Sequence, residues 1–110
     1  MLNQDTDPMK RFLIKYRFST GTREDWHAEI ARFIAALDND PGLKGRISYR
    51  CMRARDSDDY YHLATTADDT AAKELGQRDF FKHYTEATKR ASGGTVEVLP
   101  LDVIAETSRA

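Results

Sequence analysis

The side chains of this 110-residue chain best suited to chemistry are its histidines and tyrosines. His83 and Tyr84 stand side by side in a helical pattern, and Tyr16 lies in an alternating, strand-like run. Imidazole titrates near neutral pH, so His83 is a candidate general base. The phenols of Tyr16 and Tyr84 are candidate donors to a developing oxyanion. Arg50 is a candidate clamp for an anionic or enolate oxygen, with Met52, Tyr61, Trp26 and Phe81 as candidate walls. His62 is in mid-strand and has two readings, a general base or a half-buried structural residue where two copies meet. The second is favoured because no acid partner is placed beside it, and His27 is read as an exposed helix residue. The set suits proton abstraction and enolate stabilisation on a small conjugated molecule in a dry pocket.

Other chemistries lack their residues. The three histidines are scattered and do not make a metal site. Asp56, Asp58 and Asp59 lack the glycine and distal glutamate of a calcium loop. No glycine-rich phosphate loop or nucleotide fingerprint is present. Neither a cofactor nor a metal is expected. Cys51 is the sole cysteine, so no intrachain disulfide can form, in keeping with a reducing, cytoplasmic setting. Lys and Arg total 17 against 18 Asp and Glu. That balance argues against a general binder of nucleic acid or anionic membrane. The one basic run, Arg46, Arg50, Arg53 and Arg55, is split between two strand faces. No apolar run approaches the ~20 residues that span a bilayer.

The elements that must position these groups follow from periodicity. Residues 9–18 alternate Phe12, Ile14, Tyr16 and Phe18 with Leu13, Lys15 and Arg17, which predicts a strand with the first set facing a core. Thr22 caps a helix over 23–37, whose apolar stripe is Trp26, Ile30, Phe33, Ile34 and Leu37. Asp38 to Gly42 ends it. Strands follow over 46–55 and 60–67, joined by the polar tetrad Asp56 to Asp59. Setting Arg55 against Tyr60 places Met52, Leu63, Ala54 and Tyr61 on the helix-covered face. The uncovered face then carries Leu13, Tyr49, Cys51, Tyr60, His62 and Ala64, or their opposite-face neighbours. A short helix to about Leu75, a break at Gly76-Gln77, and a second piece over 79–91 precede a last strand over 95–99. Pro100 breaks its ladder or marks its edge.

The order β-α-β-β-α-β is the split βαβ arrangement, an α+β ferredoxin-like fold. It predicts one four-stranded antiparallel sheet with two helices on one face. The expected organisation is a loose leader over 1–8, one domain over 9–104 and a tail over 105–110. Covering the bare face with a second copy gives a homodimer, a dimeric α+β barrel.

The opening Met9 to Tyr16 and the stretch from Tyr61 to Ala87 carry a resemblance. Within it are Leu75, the break Gly76 to Asp79, Phe80-Phe81 and Tyr84. The chain resembles the antibiotic biosynthesis monooxygenase-like branch of the dimeric α+β barrel superfamily over roughly residues 9 to 104. The resemblance implies cofactor-free oxygenation of phenolic or quinone substrates, or haem degradation. The haem-degrading members carry Asn, Trp and His where Tyr16, Ala67 and Tyr84 stand here, so haem is not expected. Two functions compete. One is a cofactor-independent monooxygenase acting on a small aromatic or conjugated substrate. The other is a non-catalytic dimeric ligand-binding or stress-related module. A cavity above ~300 Å³ with polar tips reaching it would favour the first.

Overall fold

The computed structural model describes residues 9–107. Its elements are β1 (Lys10–Arg17), α1 (Arg23–Asp38), β2 (Ile47–Arg53), β3 (Asp59–Thr66), α2 (Asp69–Gln77), α3 (Asp79–Ala91) and β4 (Val96–Leu101). The strands form one sheet in the order β2-β3-β1-β4, and every neighbouring pair is antiparallel. This is the expected α+β ferredoxin-like architecture, with the helices on one face.

Local chemistry sets the helix ends. The Thr22 hydroxyl accepts from the Asp25 N–H at 3.2 Å, and Asp68 Oδ1 accepts from the Ala71 N–H at 2.8 Å. Each satisfies a first-turn N–H that has no partner within the helix. The expected break in the second helical region becomes two separate helices. Arg78 ends α2 and starts α3, and its guanidinium is tied to Asp40 at 2.7 Å across the loop after α1. That guanidinium holds the Asp40 carboxyl below the usual carboxylate range. Leu43, in the same loop, is fully buried and anchors the loop to the core.

The core is rich in aromatics. Tyr16, Trp26, Phe33, Tyr60 and Tyr84 are buried with Leu37, Leu43 and Leu75. Tyr84 stacks on Phe33 with centroids 3.9 Å apart, and Tyr16 stacks on Tyr60 at 5.3 Å. Such pairs add to the area term of burial, which is about 1.5–3 kcal/mol for a large apolar side chain.

One expectation is reversed. β3 pairs with β1 so that Tyr60 faces Tyr16, His62 faces Ile14 and Ala64 faces Phe12. Tyr49, Cys51, Tyr60, His62 and Ala64 therefore lie under the helices. Arg50, Met52, Tyr61 and Leu63 lie on the bare face. His62 is 0% exposed and Met52 is 42% exposed. The two faces of the β2–β3 hairpin are grouped as expected, with the covered side exchanged. Leu13 of β1 stays on the bare face as expected and so parts from Tyr49, Cys51, Tyr60, His62 and Ala64. The hairpin also closes one residue earlier than expected, with the Ala54 N–H donating to Asp59 O at 2.9 Å. Asp56 takes positive φ there, which Asp tolerates better than most residues. β4 extends to Leu101 through Pro100, as an edge strand permits. The expectation for residues 1–8 lies outside the described residues, as does the end of the tail.

Candidate functional site

A cavity of about 470 Å³ lies between the helix side of the sheet and helices α2 and α3. It exists because small side chains face one another where the rest of the core has rings. Ala64 and Thr66 come from β3, Ala72 from α2 and Thr88 from α3. Phe12 and Ile14 of β1 form the floor, and Phe81 and Tyr84 of α3 the roof. The mouth lies at β4, where Val98 is still 57% exposed.

Behind Tyr84 runs a buried chain of polar groups. Trp26 Nε1–H donates to Tyr16 Oη at 2.8 Å. The Tyr16 hydroxyl lies 2.9 Å from His62 Nε2, and the Tyr84 hydroxyl lies 3.1 Å from His62 Nδ1. Indole N–H only donates, so Tyr16 has its own proton free for Nε2. His62 then carries its proton on Nδ1 and donates to Tyr84, whose proton faces Cys51 Sγ at 3.9 Å. Every N–H and O–H donor of the polar chain is used in that arrangement. Burial pushes the His62 imidazole down to about 4, so it is neutral at pH 7. Burial also raises the phenols of Tyr16, Tyr49 and Tyr84, and pushes the Cys51 thiol up to about 11. These groups act as neutral donors and acceptors. None is a base at neutral pH.

The residues singled out in the sequence separate into four places. Tyr84 and Phe81 line the cavity. Tyr16 and Trp26 are buried on the same side of the sheet, in the polar chain behind it. Tyr16 and Tyr84 converge on the two nitrogens of one imidazole. Arg50, Met52 and Tyr61 do not join them, because their strand phase puts them on the bare face. His83 also stays outside. It is exposed on α3 and lies 2.5 Å from Glu29 Oε2 on α1, at the edge of a surface groove. Glu29 is bound by Arg32 as well, which holds its carboxyl below the usual range. His83 lies about 100° of helix turn from Tyr84, and it shares the surface groove with Tyr84 but is not among the residues that line the cavity. Sequence reasoning missed Thr66, Ala72 and Thr88. The available signal was their small size in positions of inward phase. Among the described residues, no group of three His, Cys, Asp or Glu side chains could hold a metal ion.

Fold and site together define a ferredoxin-like α+β protein with an apolar chamber on the helix side of its sheet. No family model matches the sequence, and no curated protein matches it. Solved structures do match. SnoaB, a cofactor-independent oxygenase from Streptomyces nogalater, aligns at TM-score 0.74 and 19% identity over 93% of this chain and 99% of its own. Rv0793 from Mycobacterium tuberculosis aligns at TM-score 0.71 and 15% identity, over 91% and 99%. A dimeric ferredoxin-like protein of unknown function from Jannaschia sp. CCS1 aligns at TM-score 0.68 and 19% identity, over 86% and 99%. The chain has the fold of these proteins. No helix among the described residues is long and apolar enough to cross a membrane.

Proposed function

We propose that this chain is a cofactor-independent monooxygenase acting on a small aromatic or conjugated substrate held in the helix-side cavity. The observation that carries the reading is the cavity itself. Its volume, about 470 Å³, falls in the range of small-molecule sites. Its walls are apolar and aromatic, and SnoaB, which shares the fold, is a cofactor-independent oxygenase. Tyr49, Phe81 and Tyr84 offer ring faces for a flat substrate. The Tyr49 phenol stays protonated and serves as a donor to an enolate oxygen. Neither histidine nor carboxylate stands among the lining residues, so the acidic ring methylene gives its proton to water. In the overall reaction a ring methylene and O2 give a ring carbonyl and water.

Anthrone is a suitable probe, with an oxygen electrode following uptake and absorbance following the quinone. One O2 should be consumed per carbonyl formed. Ala72→Phe fills the cavity and should lower turnover roughly a hundredfold, the scale set by loss of positioning. Binding of anthrone without oxygen uptake would instead establish the second reading, a non-catalytic ligand-binding module. The absence of a lining base favours that alternative.

The proposed assembly is a homodimer through the bare sheet face. Leu13, Met52, Tyr61, Leu63, Leu99 and Leu101 share that face by strand phase. Met52, Leu99 and Leu101 are each about 40% exposed, and a small chain gains from covering such a face. The Jannaschia protein of the same fold is dimeric. Sedimentation at micromolar concentration should give twice the chain mass, and Met52→Asp with Leu99→Asp should give the chain mass. A wild-type monomer would remove the barrel from this reading.

A further inference from the structure

We infer that the cavity takes a flat, fused-ring carboxylic acid, with a phenolic or carbonyl oxygen held by the Tyr49 hydroxyl at the β2 end and the carboxylate held by Lys89 at the mouth. The inference deepens the proposed function and rests on the cavity being a small-molecule site. Most polar side chains of the lining are already engaged. Thr85 Oγ1 donates to Lys82 O at 2.9 Å, and Thr88 Oγ1 donates to Tyr84 O at 2.8 Å. The Tyr84 hydroxyl lies between His62 and Cys51. Thr66 Oγ1 is sealed away, so no ligand reaches it. Two groups remain. The Tyr49 hydroxyl makes no hydrogen bond among the described residues and, unlike Thr66 Oγ1, is not sealed. Lys89 Nζ pairs with Glu86 Oε2 at 3.9 Å, and the two side chains are 64% and 65% exposed. An exposed pair of that length is weak and yields to a better partner.

The two groups belong to opposite ends of the cavity. Tyr49 is on β2, one edge of the sheet, where it faces Ala64 of β3. Val98, at the mouth, is on β4, the other edge, where it faces Ile14 of β1. Three strand spacings, about 14 Å, separate those edges. Lys89 is in the last turn of α3, beside the start of β4. Its carbonyl accepts from the Gly94 N–H at 2.8 Å, and Val96 opens the strand two residues further on. Between the two ends lie Ala64, Phe12 and Ile14, a floor with no polar side-chain atom. The Tyr49 ring is set edge-on against Phe33 at 4.9 Å, and burial keeps its phenol protonated. It can donate to a carbonyl or exchange a hydrogen bond with a phenol. A carboxylate on the apolar floor would lose its hydration without gaining a partner. The charge therefore stays at the mouth, where the Lys89 ammonium and water both serve it. Along the ligand the order is oxygen, rings, carboxylate.

Fluorescence titration with 6-hydroxy-2-naphthoic acid, 2-naphthoic acid and methyl 6-hydroxy-2-naphthoate tests both ends. Tyr49→Phe should weaken the hydroxy acid about fivefold relative to 2-naphthoic acid, the size of one net hydrogen bond. Lys89→Met should weaken the hydroxy acid about threefold relative to its methyl ester, the size of one exposed ion pair. Lys89→Arg should keep the wild-type ratio, and added salt should shrink the wild-type preference for acid over ester. Without ligand, Tyr49→Phe should melt within a few degrees of wild type, because no hydrogen bond is lost. An unchanged ratio in either Tyr49→Phe or Lys89→Met overturns the two-ended binding and leaves the cavity reading intact. So does a Tyr49→Phe melting temperature well below wild type, which would mean that the hydroxyl has a structural partner. Binding of no probe to the wild type, or binding that survives Ala72→Phe, overturns both.

Discussion

Replacing His62 with alanine is expected to lower the unfolding free energy by roughly 3–5 kcal/mol, close to the upper range for a single substitution. Two losses add. The first is volume, because His62 is fully buried and packed edge-on against Tyr16 at 5.1 Å and against Tyr49 at 5.9 Å. The second is polar. Tyr16 loses the acceptor for its proton and Tyr84 loses a donor, in a place that water does not reach. Each group left unsatisfied costs about 1–3 kcal/mol. Urea unfolding of His62→Ala checks the total. His62→Leu restores most of the volume and not the hydrogen bonds, so it should recover only part of the loss. In a cycle with Tyr84→Phe the two changes should be less than additive by about 1 kcal/mol, because the second removes a group the first had already orphaned. Strict additivity would mean that the 3.1 Å contact contributes nothing.

The second large effect is acid sensitivity. His62 is pushed from 6.5 to about 4 by burial in the folded chain. The native state holds the imidazole neutral, while the unfolded chain takes up a proton below about 6.5. The contribution is complete above that pH and falls away as pH drops through the folded value near 4. The total is about 3 kcal/mol, lost at about 1.4 kcal/mol per pH unit. Unfolding midpoints at fixed protein concentration between pH 7.5 and 4 should show this slope, and His62→Leu should flatten it. A wild-type curve already flat over that window would place a charge or water beside His62. Below pH 4 a further loss should set in as Asp40, Asp58 and Glu29, whose carboxyls are held low by arginines, take up protons.

Periodicity made the fold legible wherever the two faces of an element differ in chemistry. In β1 the contrast of Phe12, Ile14 and Tyr16 with Arg11, Lys15 and Arg17 fixes the inward side. The stripe of α1 does the same. The β2–β3 hairpin has no such contrast. One face offers Met52, Leu63 and Tyr61, the other Tyr60, His62, Ala64 and Cys51, and hydropathy favours the first. Burial follows the second, because its polar tips satisfy one another once Tyr16, Trp26 and Tyr84 arrive from distant parts of the chain. No local pattern reports that pairing. The same limit separates the site residues. Tyr84, Phe81, Tyr16 and Trp26 were placed on the helix side by elements whose phase was clear. Arg50, Met52 and Tyr61 were assigned through the ambiguous hairpin and fell on the opposite face.

The sheet also has two open margins. A dimer that uses the bare face leaves β2 and β4 with unpaired backbone edges facing water, and such edges recruit further strands into fibrous aggregates. The hazard is greatest at β4, where Val96, Val98, Leu99 and Leu101 make an apolar, strand-forming run. Pro100 stands inside that run with no N–H to offer an incoming strand. At β2 the guard is electrostatic, with Arg50 and Arg53 repelling a second copy of the same edge. The proline that first read as the end of a strand is thus a gatekeeper. It lets the chain keep an apolar rim at the mouth of its chamber without that rim becoming a template for polymerisation.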